Sequence, residues 1–400
     1  MMATPRAYLD WNATAPLRPQ ARAAMTQAFD MVGNPSSIHS EGRAARRLIE
    51  DARDGVAALL GAKSANVIFT SGGTEANVLA LTPSISDGND RRRRERLLIS
   101  AVEHPSVSSG GRFGPTAPDR LSVGASGICD LADLGAWLAS AKSAKTGFVV
   151  AVMLANNETG VIQPIRAIAE LVHQAGGLLH VDAVQAAGKI PCDIDALGAD
   201  FVAISAHKFG GPKGVGALIK ARDALHINDP LITGGGQERG ARGGTENLLG
   251  IVGMGAAAKA ARDALAHDAP AIAKLRDDLE RELRALAPGT VIFGVDGCDG
   301  PPPPRLPNTT LFAVPSVKAE TSLMALDLAG VAVSAGSACS SGKVAASPVL
   351  AAMGVPDDLA ACAIRVSLGP TTTGAEIDLF LDAWKRRIEG LSKEQPGLAA

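Results

Sequence analysis

The sequence predicts an α/β protein: a large unit built on a mostly parallel sheet covered by helices, followed by a smaller α+β unit. Three observations carry this. Between residues 41 and 265 short, near-continuous apolar runs alternate with helical stretches, the pattern of strands buried on both faces. The chain is 46% hydrophobic with 44 glycines but only 3% aromatic, so its core is filled mainly by Ala, Val, Leu and Ile. After Leu265 the character changes, and we place the boundary there, giving units at 1–265 and 266–400. Two units also suit 400 residues at about 150 residues per domain. No internal repeat is visible, which argues against a solenoid or propeller.

In chain order, Ala44, Leu48, Ala52, Val56, Leu59 and Leu60 recur at three-to-four spacing with Arg43, Arg47, Glu50 and Arg53 outside the stripe, an amphipathic helix. Strands are predicted at Val67–Thr70, Leu97–Ser100, Phe148–Leu154, Leu178–Val181, Phe201–Ile204 and Val215–Ile219. A charged helix near 268–287 opens the second unit. Strands at Val291–Phe293, Thr309–Val314, Val331–Val333 and Ile364–Leu368, a helix at 318–329 and a final helix near 375–389 complete it. Pro301 to Pro304 read as a stiff connector between strands, with a short polyproline ligand as the alternative.

Charge excludes some classes. Lys+Arg 39 against Asp+Glu 41 gives no basic surplus for nucleic acid. Arg91 to Arg94, beside Asp87 and Asp90, read as a solvated loop. The longest apolar run, Phe148 to Ala155, is far short of the roughly 20 residues that span a membrane. The start has no apolar leader segment, and the expectation is a cytoplasmic protein. Five scattered cysteines without a C-x-x-C suggest neither a disulfide framework nor zinc. Cys129, Cys192 and Cys362 read as core.

The chemistry concentrates at predicted strand ends. Thr70-Ser71-Gly72-Gly73-Thr74-Glu75 leads from a strand into a helix; it is either a glycine turn capped by Thr74 or an anion cradle at a helix N-terminus. Lacking G-x-G-x-x-G and the Walker lysine, it supports neither a dinucleotide nor a nucleoside triphosphate. One apolar strand ends in Asp182; another ends in Ser205-Ala206-His207-Lys208. Either Asp182 and Lys208 are a structural ion pair, or Lys208 is a Schiff-base lysine and Asp182 the carboxylate on a pyridinium nitrogen, as pyridoxal phosphate requires. Phosphate donors are then available at Gly73, Thr74, Ser205 and His207. His104 follows a strand and offers a ring for stacking; Asn156-Asn157-Glu158 adds amides at the same edge. Arg365, inside an apolar strand, is a buried ion pair or a carboxylate clamp. Cys339 sits in Ser334 to Lys343, a loop of small residues suited to a reactive thiol.

These residues resemble a known family. Tyr8-Leu9-Asp10, Asn12-Ala13-Thr14, Gly33-Asn34-Pro35-Ser36-Ser37-Ile38-His39, Thr74-Glu75, Glu103-His104, Asn156-Asn157-Glu158, Val181-Asp182-Ala183-Val184-Gln185, Ser205 to Lys208, Gly235 to Gly240, Gly243-Gly244-Thr245-Glu246-Asn247, Gly336-Ser337-Ala338-Cys339 and Arg365-Val366-Ser367 are similar to the cysteine desulfurases, most of all the nitrogen-fixation type. The resemblance implies the pyridoxal-phosphate fold type I (aspartate-aminotransferase-like), pyridoxal 5'-phosphate as cofactor, L-cysteine as substrate, a homodimer, and an iron–sulfur scaffold or other sulfur-acceptor protein as partner. It implies that Lys208 carries the cofactor, Asp182 holds its ring nitrogen, Asn157 and Gln185 bond its phenolic oxygen, and His104 stacks on it and assists proton transfer. Gly73, Thr74, Ser205 and His207 would bind phosphate, with Thr245 supplied by the second subunit. Arg365, with Asn157, would bind the substrate, and Cys339 would accept sulfur as a persulfide able to ligate iron transiently. The N-terminal segment is expected to pack on the small unit. Trp11 departs from the pattern. An aminotransferase or selenocysteine lyase of the same fold, and a cofactor-free sulfur carrier, are the competing readings.

Overall fold

The computed structural model describes residues 6–114, 118–144, 146–298, 300–336 and 347–394. Its centre is a seven-stranded sheet in the order Val67–Thr70, Gly216–Lys220, Phe201–Ser205, Leu178–Asp182, Gly147–Met153, Arg94–Ser100, Asp119–Leu121. Gly216–Lys220 runs antiparallel to both neighbours; the other pairings are parallel. The predicted strands fall within about a residue of those observed, except that the one predicted at Leu97–Ser100 begins three residues earlier, at Arg94. The four central strands are buried on both faces, which is why they read as unbroken apolar runs.

Helices cover the sheet. The amphipathic helix Ser40–Leu59 buries Ala45, Ile49, Ala52 and Val56, and packs on the helix Leu248–Leu286. Small residues bring these two together: a Cβ on Gly255 would lie 2.4 Å from Cα of Ala52.

The second unit is a four-stranded antiparallel sheet, Val291–Ile292, Thr309–Ala313, Ile364–Ser367, Ser334–Ala335, backed by Phe312, Phe380 and Trp384 in edge-to-face contact. The N-terminal strand Ala7–Tyr8 pairs in parallel with Val331–Ala332, so Ala7 and Leu9 join this second core. From there the chain crosses to the large sheet.

Two local expectations change. The helix near 268–287 is the end of a 39-residue helix that runs through Pro270. Its first half packs Ile251, Met254, Ala257 and Ala261 into the large core and its second half packs Ile272, Leu279 and Leu283 into the small one. That burial outweighs the lost hydrogen bond at proline. Arg94 is not solvated: it is 1% exposed and pairs with Asp90 at 2.9 Å, because it begins a sheet strand whereas Arg91 to Arg93 stay exposed. The proline connector contributes a backbone bond, Ile162 N–H to Pro304 O at 2.9 Å, tying it to the large unit. Trp11 is accommodated by Gly369, where a Cβ would sit 2.0 Å from the indole.

Gly255→Ala should force the two packed helices apart, at a cost of about 1–3 kcal/mol; urea titration should show a lower unfolding midpoint than for the parent.

Candidate active site

The parallel strands end at one edge of the large sheet, where open α/β sheets place their ligands. There the structure gathers every expected site residue except Thr245 and Cys339 around one cavity of about 300 Å³. Thr245 is exposed and lines a separate recess with Glu238 and Arg242. Cys339 lies outside the described residues.

Asp182 closes the strand Leu178–Asp182 and is buried. Its carboxylate accepts from Val184 N–H at 2.9 Å and from Asn77 Nδ2 at 2.7 Å. Burial pushes its pKa up, opposed by these donors and by nearby His104 and Lys208. The Asn77 amide is itself set. His180, whose pKa burial pushes down to about 3, is neutral and shares a 2.9 Å bond through Nε2 with Asn77 Oδ1. Oδ1 can only accept, so Nε2 carries the proton. Asn77 Nδ2 then also donates to Ser106 Oγ at 2.9 Å.

That chain reaches His104. Ser106 N–H donates to Nδ1 at 3.1 Å, so the proton of the neutral ring is on Nε2. Burial lowers the His104 pKa. Below it Glu103 is buried, accepting on Oε1 from Ser100 Oγ at 2.5 Å and Met153 N–H at 2.6 Å, with Oε2 unpaired. Burial raises its pKa to about 8.

Lys208 donates from Nζ to the carbonyls of Asn12 (2.6 Å) and Ala13 (3.0 Å). Gln185 Nε2 donates to the same Asn12 carbonyl at 2.9 Å. His207 bonds Thr14 through Nδ1 at 3.2 Å; burial and the neighbouring lysines push its pKa down to about 4. Arg365 shows the ion-pair reading: it pairs with Asp10 at 2.8 Å and donates to Asn157 O at 3.0 Å, while its buried Nε has no hydrogen-bond partner.

The residues present fit pyridoxal phosphate. A Cβ on Gly73 would lie 2.7 Å from Val184 Cγ2 and 3.3 Å from Ser205 Cβ, so only glycine leaves room at this helix N-terminus. No side chain caps the helix, and its free N–H groups suit a phosphate. Asp182 supplies an anion for a ring nitrogen, Lys208 an amine, and Asn157 and Gln185 amides. Sequence reasoning singled out neither Asn77 nor Lys189. Asn77 appeared as an ordinary helix residue; Lys189 sits four residues after Gln185 in a turn.

The raised Glu103 pKa makes a stability prediction. Folded protein holds this proton between about pH 4.5 and about 8 whereas unfolded chain releases it, so the Glu103 contribution is present below pH 4.5 and lost as pH rises through 8. Glu103→Gln should lose less stability than the parent between pH 5 and pH 8.5, as read from urea midpoints at each pH.

Comparison with known proteins gives the family. The family model for class-V aminotransferases matches residues 7–380. A cysteine desulfurase of Cereibacter sphaeroides is 42% identical over 98% of this chain and 98% of its own. A cysteine desulfurase IscS of Dictyoglomus turgidum is 40% identical over 97% and 96%. The solved structure of a NifS-like protein from Rickettsia africae superposes with a TM-score of 0.84 at 36% identity, covering 96% of this chain and 100% of that one. A strand-end cavity with a lysine, a buried aspartate and a glycine cradle, on a chain matched over nearly its whole length, leads to one assignment: the chain belongs to the class-V aminotransferases, pyridoxal-phosphate-dependent enzymes, and among them to the cysteine desulfurases.

Proposed function

We propose that this cavity converts L-cysteine to L-alanine and passes the sulfur to Cys339 as a persulfide, for iron–sulfur cluster or other sulfur-compound biosynthesis. The observation that carries the reading is the convergence of Lys208, Asp182 and the Gly73 cradle on one cavity. Pyridoxal phosphate bound there supplies an electron sink that acidifies the amino acid's Cα–H and loosens its Cβ–S bond. Gly73, Thr74, Ser205 and His207 hold the phosphate, joined by Thr245 from the second subunit of a homodimer. Asp182, braced by Asn77, keeps a negative charge at the ring nitrogen, and Asn157 and Gln185 address the phenolic oxygen.

The chain's own groups then divide the work. Arg365 clamps the substrate carboxylate beside Asn157, leaving its unpaired Nε as a donor. Lys208 takes the Cα proton, its amine already close to the chain at Asn12 and Ala13. His104, with its N–H on Nε2, gives and takes protons at the substrate. The Cys339 thiolate attacks the substrate sulfur: an S–S bond forms, Cβ–S breaks, and its electron pair stays with the three-carbon fragment, which is protonated to alanine. The persulfide can then transiently ligate iron or transfer its sulfur to a scaffold or other acceptor protein. Residues 1–265 carry the cofactor in this reading and 266–400 carry the cysteine loop. No helix among the described residues is long and apolar enough to cross a membrane; a cytoplasmic setting fits this chemistry.

Alanine and protein-bound persulfide should both form from L-cysteine with the purified protein. Lys208→Ala should lose about 10²–10⁴-fold or more of alanine formation, and Cys339→Ala should lose the persulfide. Undiminished persulfide formation in Cys339→Ala, or no alanine from the parent, would sink the assignment.

A further inference from the structure

The strand Leu178–Asp182 is followed by a turn in which Gly188 has φ +76°, a left-handed conformation that glycine adopts freely. A Cβ there would also lie 2.8 Å from Cβ of Phe209. The turn brings Lys189 back toward the strand end. Its Nζ donates to Gln185 Oε1 at 2.9 Å and to Asn12 Oδ1 at 2.8 Å.

We propose that Lys189 is a positioning residue that sets the Gln185 amide, and through it the hydrogen bond offered to the cofactor's phenolic oxygen. The inference rests on the function proposed above. An amide of Gln presents either oxygen or nitrogen to a given neighbour, and rotation by half a turn exchanges them. As an ammonium, lysine only donates, so the Gln185 atom it touches is the oxygen. The Asn12 carbonyl only accepts, so the atom touching it is the nitrogen, at 2.9 Å. With both ends specified, the second N–H of Gln185 is held in one orientation in a side chain that lines the cavity. Without Lys189 one of these two restraints is gone, and the flipped amide would turn an oxygen toward an anionic one.

The amine itself needs no carboxylate for this role. Burial, with Lys208 and Arg365 nearby, lowers its pKa well below the usual lysine range. Even as a neutral amine it keeps two N–H groups, matching the two acceptors; its lone pair then makes the Asn12 carbonyl the restraint that decides the amide's orientation. Its second bond places Asn12 Oδ1, which also accepts from Asn308 Nδ2 at 3.0 Å.

The test reads the cofactor's own absorbance. A donor on the phenolic oxygen withdraws negative charge that otherwise holds the proton between Lys208 and the cofactor, so losing it raises the pH at which that proton leaves. In the protein loaded with pyridoxal phosphate, Lys189→Met should move the pH midpoint of the visible band upward by about one pH unit. Gln185→Ala should move it similarly, and the double variant no further than Gln185→Ala, the non-additivity expected of a residue acting through another. Binding of pyridoxal phosphate to the stripped protein should weaken about tenfold. If Lys189→Met does not fold, Lys189→Gln is read in the same way. An unmoved midpoint, or an equal shift in the parent and Gln185→Ala backgrounds, would refute the role of Lys189 while leaving the desulfurase assignment standing. A parent protein that acquires no visible band with pyridoxal phosphate would overturn both.

Discussion

Asn12 is the point on which the site depends. It is 1% exposed and takes part in seven hydrogen bonds, to Asn157, Gln185, Lys189 and Lys208 from the large unit and to Asn308, Thr309 and Ser367 from the small one. Buried amides must be satisfied, because an unpaired group keeps its full desolvation cost. One residue, through its side chain and its backbone, therefore links the two sheets. Lys208, at the end of a large-sheet strand, bonds the same residue through its backbone carbonyl.

The same region is electrically one-sided. Lys208 and Arg365 line the cavity, while the buried acids are muted: Glu103 holds its proton up to about pH 8 and Asp10 is committed to Arg365. The histidines His180 and His207 are kept neutral by burial. The field this leaves favours small anions, and a phosphate ester and an amino-acid carboxylate are both of that kind. Asp182, a carboxylate braced by two N–H donors, is an acid that lines the cavity.

Much of this was legible beforehand for a physical reason. Parallel strands buried on both faces leave continuous apolar runs, and the polar residues just past each run mark the ligand edge; His104, Asn157, Asp182 and Lys208 all follow that rule. What stayed hidden depends on tertiary packing. Arg94 reads as one more arginine in a charged run until a sheet strand begins at it. The helix expected near 268–287 reads as separate until the two cores show it to be the end of one helix that begins at Leu248. Asn77 and Lys189 carry no motif, since their partners lie at Asp182, Ser106, Asn12 and Gln185, brought near by folding. Thr245, away from the cavity in its own chain, could be connected to the site only through the family resemblance.

The pairing of Ala7–Tyr8 with Val331–Ala332 has a consequence for biogenesis. Contacts this distant in sequence close late, because chain entropy opposes them and the partner strand must first exist. A ribosome adding about 5–20 residues per second delivers Ser367 and Thr309 long after Asn12. Until then the large sheet can form, but the segment carrying Asn12 has no small-unit anchor, and Lys208 and Gln185 lack their carbonyl acceptor. The hydrogen bonds that join Asn12 to the second sheet therefore close only after translation has passed Ser367.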